Sequence, residues 1–309
     1  MTITLTGHLC FDTLHLPHEE GSSARQFGGI VYSIAALAAL TEESDMIVPV
    51  VGVGEADQEQ FTAWLDRFPQ VKTDGVYSFK GPTNDVHLFY GDAGARIECS
   101  KHIAKPIPLD KIMPFLNADG ILVNMISGFD ITLETLDAIR METREKGTPV
   151  YLDAHSLTLG IDHEFRRFRR PVVDWRRWCF MIDTVQLSED EAAGLAPEKY
   201  SEQDFIHQAL SLMVRNLIIT RGVRGATLLE QHNKKITRHE IPGHKLTDSP
   251  DPTGCGDVFG AAFLVEYLAS GSALKAADLA NKVAAYHTTY SGTENLLHAR
   301  ESVQNLFPV

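Results

Sequence analysis

The chain has 309 residues, 44% hydrophobic and 22% charged, and 41 Asp and Glu against 28 Lys and Arg give a formal net charge of −13 at pH 7. That is enough apolar material for one large α/β domain or two ordinary ones, and the negative balance argues against nucleic acid or an anionic membrane as a partner. With no apolar run of about 18 residues, no basic-then-apolar leader and four cysteines in neither Cys-x-x-Cys nor metal-finger spacing, a cytoplasmic protein with reduced thiols is expected.

In chain order, the N-terminal residues alternate like a strand that ends in Gly7-His-Leu-Cys-Phe-Asp12. Phe27-Gly-Gly-Ile then opens an alanine-rich helix, Gly29–Leu40. A strand at Ile47–Val53 and a helix at Gln58–Asp66 follow, and residues 75–105 read as a hairpin with its turn near Gly91–Gly94. Next come a strand at Ile121–Asn124, a helix at Leu133–Lys146 and a strand at Val150–Asp153. Asp153-Ala-His155 stands on the strand edge where such sheets bind ligands, and is equally well read as a turn. The basic run Arg166–Arg170, with Arg176 and Arg177, suits a solvated face or an oligomer contact, and an already phosphorylated substrate could also use it.

Thr184–Leu187 is the next strand, and Gln186-Leu-Ser-Glu-Asp-Glu191 carries a serine and three acids well suited to starting a helix. A helix at Ser201–Val214 and a strand at Leu217–Thr220 lead to Thr220-Arg-Gly-Val-Arg-Gly225, a tight strand-to-strand turn. Helices at Asp257–Ala269 and Ala273–Tyr290 complete a strand–helix rhythm, the pattern of a parallel sheet covered on both faces. The thirteen histidines show no zinc-ligand spacing.

The chemistry is concentrated in Asp251-Pro-Thr-Gly-Cys-Gly-Asp257. Two glycines one residue apart let successive amides point into one hollow, and a helix beginning there adds the positive end of its dipole. Asp257 at the helix start can take a proton from a hydroxyl while the amides hold phosphoryl charge. Helix capping alone needs neither the paired glycines nor Asp251. The same dipole is expected to lower the Cys255 thiol pKa.

This stretch resembles the signature of the ribokinase-like (phosphofructokinase-B type) carbohydrate kinases, usually Asp-Thr-x-Gly-Ala-Gly-Asp, with Pro252 and Cys255 replacing Thr and Ala. The resemblance extends from Gly7 to Gly292. It implies an α/β fold, a ribokinase-like αβα sandwich with a mostly parallel central sheet, as one domain over 1–309 with a small, reduced β lid from segments 12–27 and 75–105. The implied reaction is ATP-dependent phosphorylation of a hydroxyl on a sugar or sugar-like molecule, with Asp257 as general base, the amides of Gly254, Cys255 and Gly256 as anion hole, and Mg²⁺ on the phosphates. Asp12, Gly28 and Gly29 fall on sugar-binding positions, with Ser33 where Asn is usual. Thr220, Gly222 and Gly225 correspond to the nucleotide turn and Asn281 to the adenine pocket. Glu191 corresponds to a Glu that organises the Mg²⁺ region through water within Asn-x-x-Glu, Ser188 replacing the Asn. Asp251, with the Ser291–Thr293 loop, corresponds to a monovalent-cation site, so K⁺ is expected to raise activity. A nucleoside or vitamin-like alcohol kinase and a catalytically weak binding or regulatory member are the alternative readings, and either agrees with a homodimer.

Overall fold

The computed structural model describes residues 1–15, 25–91, 96–233, 235–247 and 251–308. Its elements in order are β1 (Thr2–His15), β2 (Gln26–Gly29), α1 (Ile30–Leu40), β3 (Met46–Gly54), α2 (Gln58–Leu65), β4 (Val76–Phe79), β5 (Asn84–Tyr90), β6 (Arg96–Lys101), α3 (Leu109–Ile112), β7 (Gly120–Asn124), α4 (Leu133–Arg144) and β8 (Val150–Asp153). The second half continues with β9 (Leu159–Ile161), β10 (Arg167–Arg169), α5 (Trp175–Phe180), β11 (Thr184–Ser188), α6 (Glu189–Gly194), α7 (Glu202–Leu210), β12 (Asn216–Thr220), β13 (Gly225–His232), β14 (Lys235–Pro242), α8 (Cys255–Ser270), α9 (Ala273–His287) and α10 (Ala299–Leu306).

The main sheet has the order β14-β13-β12-β11-β8-β7-β1-β3-β4. Its strands are parallel except β13 and β14, which form an antiparallel edge. The apolar strands are buried on both faces, as a sheet covered by helices requires. Alternation along them assigns each face its core. Leu122 and Ile218 join the cluster under α1, α8, α9 and α10, while Ile121, Val123, Leu217 and Ile219 join the cluster under α4, α5 and α7 around Trp175 and Phe205. The result is the three-layer arrangement expected from the sequence.

β1 belongs to two sheets. Thr2–His8 pair with β3, while Leu9–Asp12 pair antiparallel with β2 and Cys10–His15 pair parallel with β5. β6 completes this smaller sheet against β5. The hairpin expected in 75–105 is therefore β5–β6, with turn residues 92–95 outside the described residues, as are residues 16–24 of the first expected lid segment. Residues 76–79 do not join it: β4 pairs with β3 at the edge of the main sheet.

Candidate active site

Gly254 takes a left-handed conformation (φ 77°, ψ −1°), and a side chain there would overlap the Tyr32 ring on α1. Only glycine turns the chain at that point without strain. α8 starts at the next residue, so its positive end faces the turn. Asp251 Oδ1 accepts the Thr253 N–H at 3.0 Å, which braces the approach. The Cys255 N–H donates to the Pro252 carbonyl at 3.1 Å. Of the three amides expected to bind an anion, that of Cys255 is already engaged with this carbonyl.

Asp257 is in the first turn of α8. Its Oδ1 accepts a 2.6 Å hydrogen bond from Asn124 Nδ2, at the carboxyl end of β7. Burial pushes the Asp257 carboxyl up to about 6, against the Asn124 hydrogen bond and the positive charge of His155. A carboxylate in that range is suited to proton abstraction near neutral pH. Ser33 is fully buried, with its hydroxyl 3.2 Å from both Asn124 Oδ1 and the Asp257 carbonyl. Expected among the substrate contacts, Ser33 instead stands behind Asn124, because its place on α1 faces the core.

A cavity of about 460 Å³ opens in front of Asp257. Cys10 and Asp12, two residues apart on β1, share the face that lines it, as does Gly29. Gly28 lies opposite Cys10 in the β1–β2 pair, and a side chain there would overlap the Asp12 carboxyl. Asp12, Gly28 and Gly29 are thus brought together. Val86, Leu88 and Ile126 add an apolar wall.

Asp153 and His155, at the strand edge singled out in the sequence, line the same cavity together with Gln186, Glu191 and Arg169. Gln186 Nε2 donates to Asp153 Oδ2 at 3.0 Å and to the Gly256 carbonyl at 3.1 Å, while its Oε1 accepts the Tyr151 hydroxyl at 2.5 Å. This chain ties β8 and β11 to the start of α8. Burial, with the Glu191 charge behind it, pushes the Asp153 carboxyl well above the usual carboxylate range. His155 Nδ1 donates to Glu191 Oε1 at 2.6 Å, and Arg169 reaches the same oxygen at 3.2 Å. Although burial opposes its charge, that bond and the neighbouring carboxylates raise the His155 pKa.

Glu191 is 3% exposed and forms a reciprocal capping box with Ser188, its Oε2 accepting the Ser188 N–H at 2.7 Å. Three of about four carboxylate lone-pair sites are therefore occupied. Glu191 still lines the cavity, and one lone-pair site remains for the water-mediated role that the resemblance implies.

A second cavity, of about 230 Å³, lies beyond the turn, between the β12–β13 connection and α8 and α9. Val223, Leu246, Phe259 and Ala284 make it apolar, and Thr220, Gly222, Gly225 and Asn281 also line it. Asn281 Nδ2 is held by the Pro242 carbonyl at 2.7 Å. Thr220, Gly222, Pro252 and Gly256 border both cavities, so the two meet at the glycine turn. Arg221 does not point toward an anion; it bridges Glu189 at 2.5 Å and Glu202 at 2.7 Å, and Arg224 also pairs with Glu189.

The expected reactive thiolate is not supported. Burial, reinforced by the charges of Asp251 and Asp257, pushes the Cys255 thiol up to about 12. Its Sγ faces the Asp251 and Ala284 carbonyls at 3.8 Å, and the half-buried residue also lines the apolar cavity. Burial, with the two carboxylates, outweighs the helix dipole.

Asn124 and Gln186 entered the sequence reading only as strand residues, and Arg169 only as one member of the basic run Arg166–Arg170. Asn124 and Gln186 carried a usable signal, each being a polar residue in or at the end of a short apolar strand.

A sequence model of the pfkB family carbohydrate kinases matches residues 170–300. No curated protein matches the chain. Among solved structures it is similar to Arabidopsis thaliana ribokinase complexed with ribose and ATP (19% identity, 100% of this chain and 98% of that one, TM-score 0.74). It is also similar to a pyrophosphate-dependent kinase in the ribokinase family complexed with a pyrophosphate analog and myo-inositol (16%, 98% and 100%, TM-score 0.76). A third is a Burkholderia thailandensis nucleoside kinase in complex with inosine (18%, 99% and 97%, TM-score 0.72).

Proposed function

We propose that this ribokinase-like kinase of the pfkB type transfers the terminal phosphoryl group of ATP to a hydroxyl of a sugar or sugar-like molecule. The observation that carries the reading is the position of Asp257, whose carboxyl lines the larger cavity at the glycine turn where that cavity meets the apolar one. Asp12 and Gly29 present an acceptor and a backbone edge to the hydroxyls of a substrate in the larger cavity. Asp257 then takes the proton of the attacking hydroxyl, and the Gly254 and Gly256 amides offset the charge on the transferring group.

The similar structures include users of ATP and of pyrophosphate. The apolar cavity beyond the turn favours a nucleotide, because a bare pyrophosphate has no part that Val223, Leu246 and Phe259 would shelter. Mg²⁺ carried in with the nucleotide would neutralise phosphate charge, and Asp190, exposed at the cleft, is the carboxylate of this chain placed to help hold it. A nucleoside as acceptor is the second reading, favoured by the apolar wall of Val86, Leu88 and Ile126, which a small polyol leaves unused.

A product-release screen decides donor and acceptor together. Purified protein is given Mg·ATP or Mg·pyrophosphate with a panel of sugars, polyols and nucleosides. ADP release with a sugar or polyol is expected. Turnover with pyrophosphate alone would overturn the donor assignment, and turnover with nucleosides alone would replace the acceptor.

A further inference from the structure

Five oxygens around Asp251 already face the protein's own donors, while Thr253 Oγ1 has no partner among the described residues. The Thr253 carbonyl accepts His287 Nε2 at 2.8 Å, and the Thr288 carbonyl accepts the Asp251 N–H at 3.1 Å. Asp251 Oδ1 takes the Thr253 N–H at 3.0 Å, and the Asp251 and Ala284 carbonyls both face Cys255 Sγ at 3.8 Å. A monovalent cation binds by gathering several such oxygens, and an N–H aimed at one of them opposes a neighbouring positive charge. Those five oxygens are a poor shell for a cation, because each already faces a donor.

His287 is 1% exposed near the end of α9, and its ring sits edge-on between Tyr32 (centroids 5.4 Å apart) and Tyr290 (5.2 Å). A carbonyl oxygen only accepts, so Nε2 carries the hydrogen. Nδ1 has no hydrogen-bond partner among the described residues, so Thr253 is the sole polar contact fixing this ring. Thr253 immediately precedes Gly254, and Tyr32 packs on both His287 and the position of Gly254.

We propose that His287 is a positioning residue that stands in for a monovalent cation: its Nε2–H fixes the Thr253 carbonyl and with it the phosphate turn, so that the protein works independently of potassium. The functional consequence rests on the turn holding the donor phosphates; the structural one does not.

The test has two arms. In the first, ligand-free protein is melted in potassium, sodium and tetramethylammonium chloride at equal ionic strength. A cation held by the native state would raise the melting temperature specifically and saturably; no potassium-specific shift is expected. In the second, Mg·ATP affinity is measured by calorimetry in the same salts, and the wild type is expected to bind equally in all three. His287→Ala is expected to lose roughly 5- to 10-fold in affinity, the scale of one buried hydrogen bond, and to regain part of it with added imidazole or potassium. His287→Gln keeps an N–H for the carbonyl and is expected to stay cation-independent and close to wild type.

A saturable potassium response of the wild type in either arm overturns the proposal, as does an Ala variant that binds like the wild type. If the Ala variant does not fold, the wild-type salt series and the Gln variant decide. A wild type that binds no nucleotide in any salt refutes the proposed donor, and the melting arm still decides whether a cation is held.

Discussion

At the scale of single residues, the site is set by what burial does to charge. Asp257 has its carboxyl pushed up to about 6, so the base proposed here is ionised above that pH and protonated as pH falls through it. The rate should accordingly decline on the acid side near pH 6. Asn124 donates to the ionised form and holds the pKa down. Asn124→Ala should therefore move the acid limb of the kcat/KM profile to higher pH; an unmoved limb would separate Asn124 from the base. Cys255 gives the opposite outcome to a reactive cysteine. Its raised pKa predicts slower alkylation at neutral pH than a free thiol, and Cys255→Ala should remain active because the turn binds through backbone. Peptide mapping and kinetics check the two halves. Asp257 and the glycines were legible in the sequence because one short segment carries them. Asn124 and Gln186 were less so: their partners lie 133 residues away for the Asn124–Asp257 bond and 70 residues away for Gln186–Gly256, and only folding brings them together.

At the scale of elements, the apolar strands and the long helices lie where composition places them, within a few residues. α7 stops at Leu210 instead of running to Val214, and α9 stops at His287 instead of Tyr290. β14 escaped notice for a physical reason: as an edge strand it is mostly exposed and rich in charged residues, so it carries no apolar alternation. The basic run forms β10 with its partner β9, and turns Arg169 into the cleft. Packing of α4 against β8 and β11 depends on a buried ion pair, Arg140 with Asp183 at 2.7 and 3.2 Å, and Asp183 also accepts the Val150 N–H at 2.9 Å. Asp183→Ala would strand the Arg140 charge in the interior. A loss of about 3–5 kcal/mol is expected, read from the urea unfolding midpoint; a loss below 1 kcal/mol would show that water reaches Arg140.

At the scale of the whole molecule, a net charge of −13 surrounds a cleft proposed to take a polyanionic donor. The local amides must bind against that field. Screening should therefore help association: raising ionic strength from about 10 to 150 mM with tetramethylammonium chloride shortens the Debye length from about 30 to 8 Å. The expected outcome is a rise in kcat/KM for Mg·ATP, opposite in sign to that of an enzyme with a basic cleft. A fall would place an unrecognised positive field at the entrance. No helix among the described residues is long and apolar enough to cross a membrane.

Because β1 is one unbroken strand from Thr2 to His15, the wall proposed to receive the acceptor inherits its phase from the core. Side chains on a strand alternate between faces, so one residue inserted after Leu9 would turn Cys10 and Asp12 outward and Phe11 inward, with Thr2–His8 left in place. Such a variant should still melt cooperatively and bind Mg·ATP, yet lose its acceptor. Measuring the two affinities side by side would show whether the acceptor's binding face is set by a count of residues in one strand, a form of information carried neither by composition nor by any single side chain.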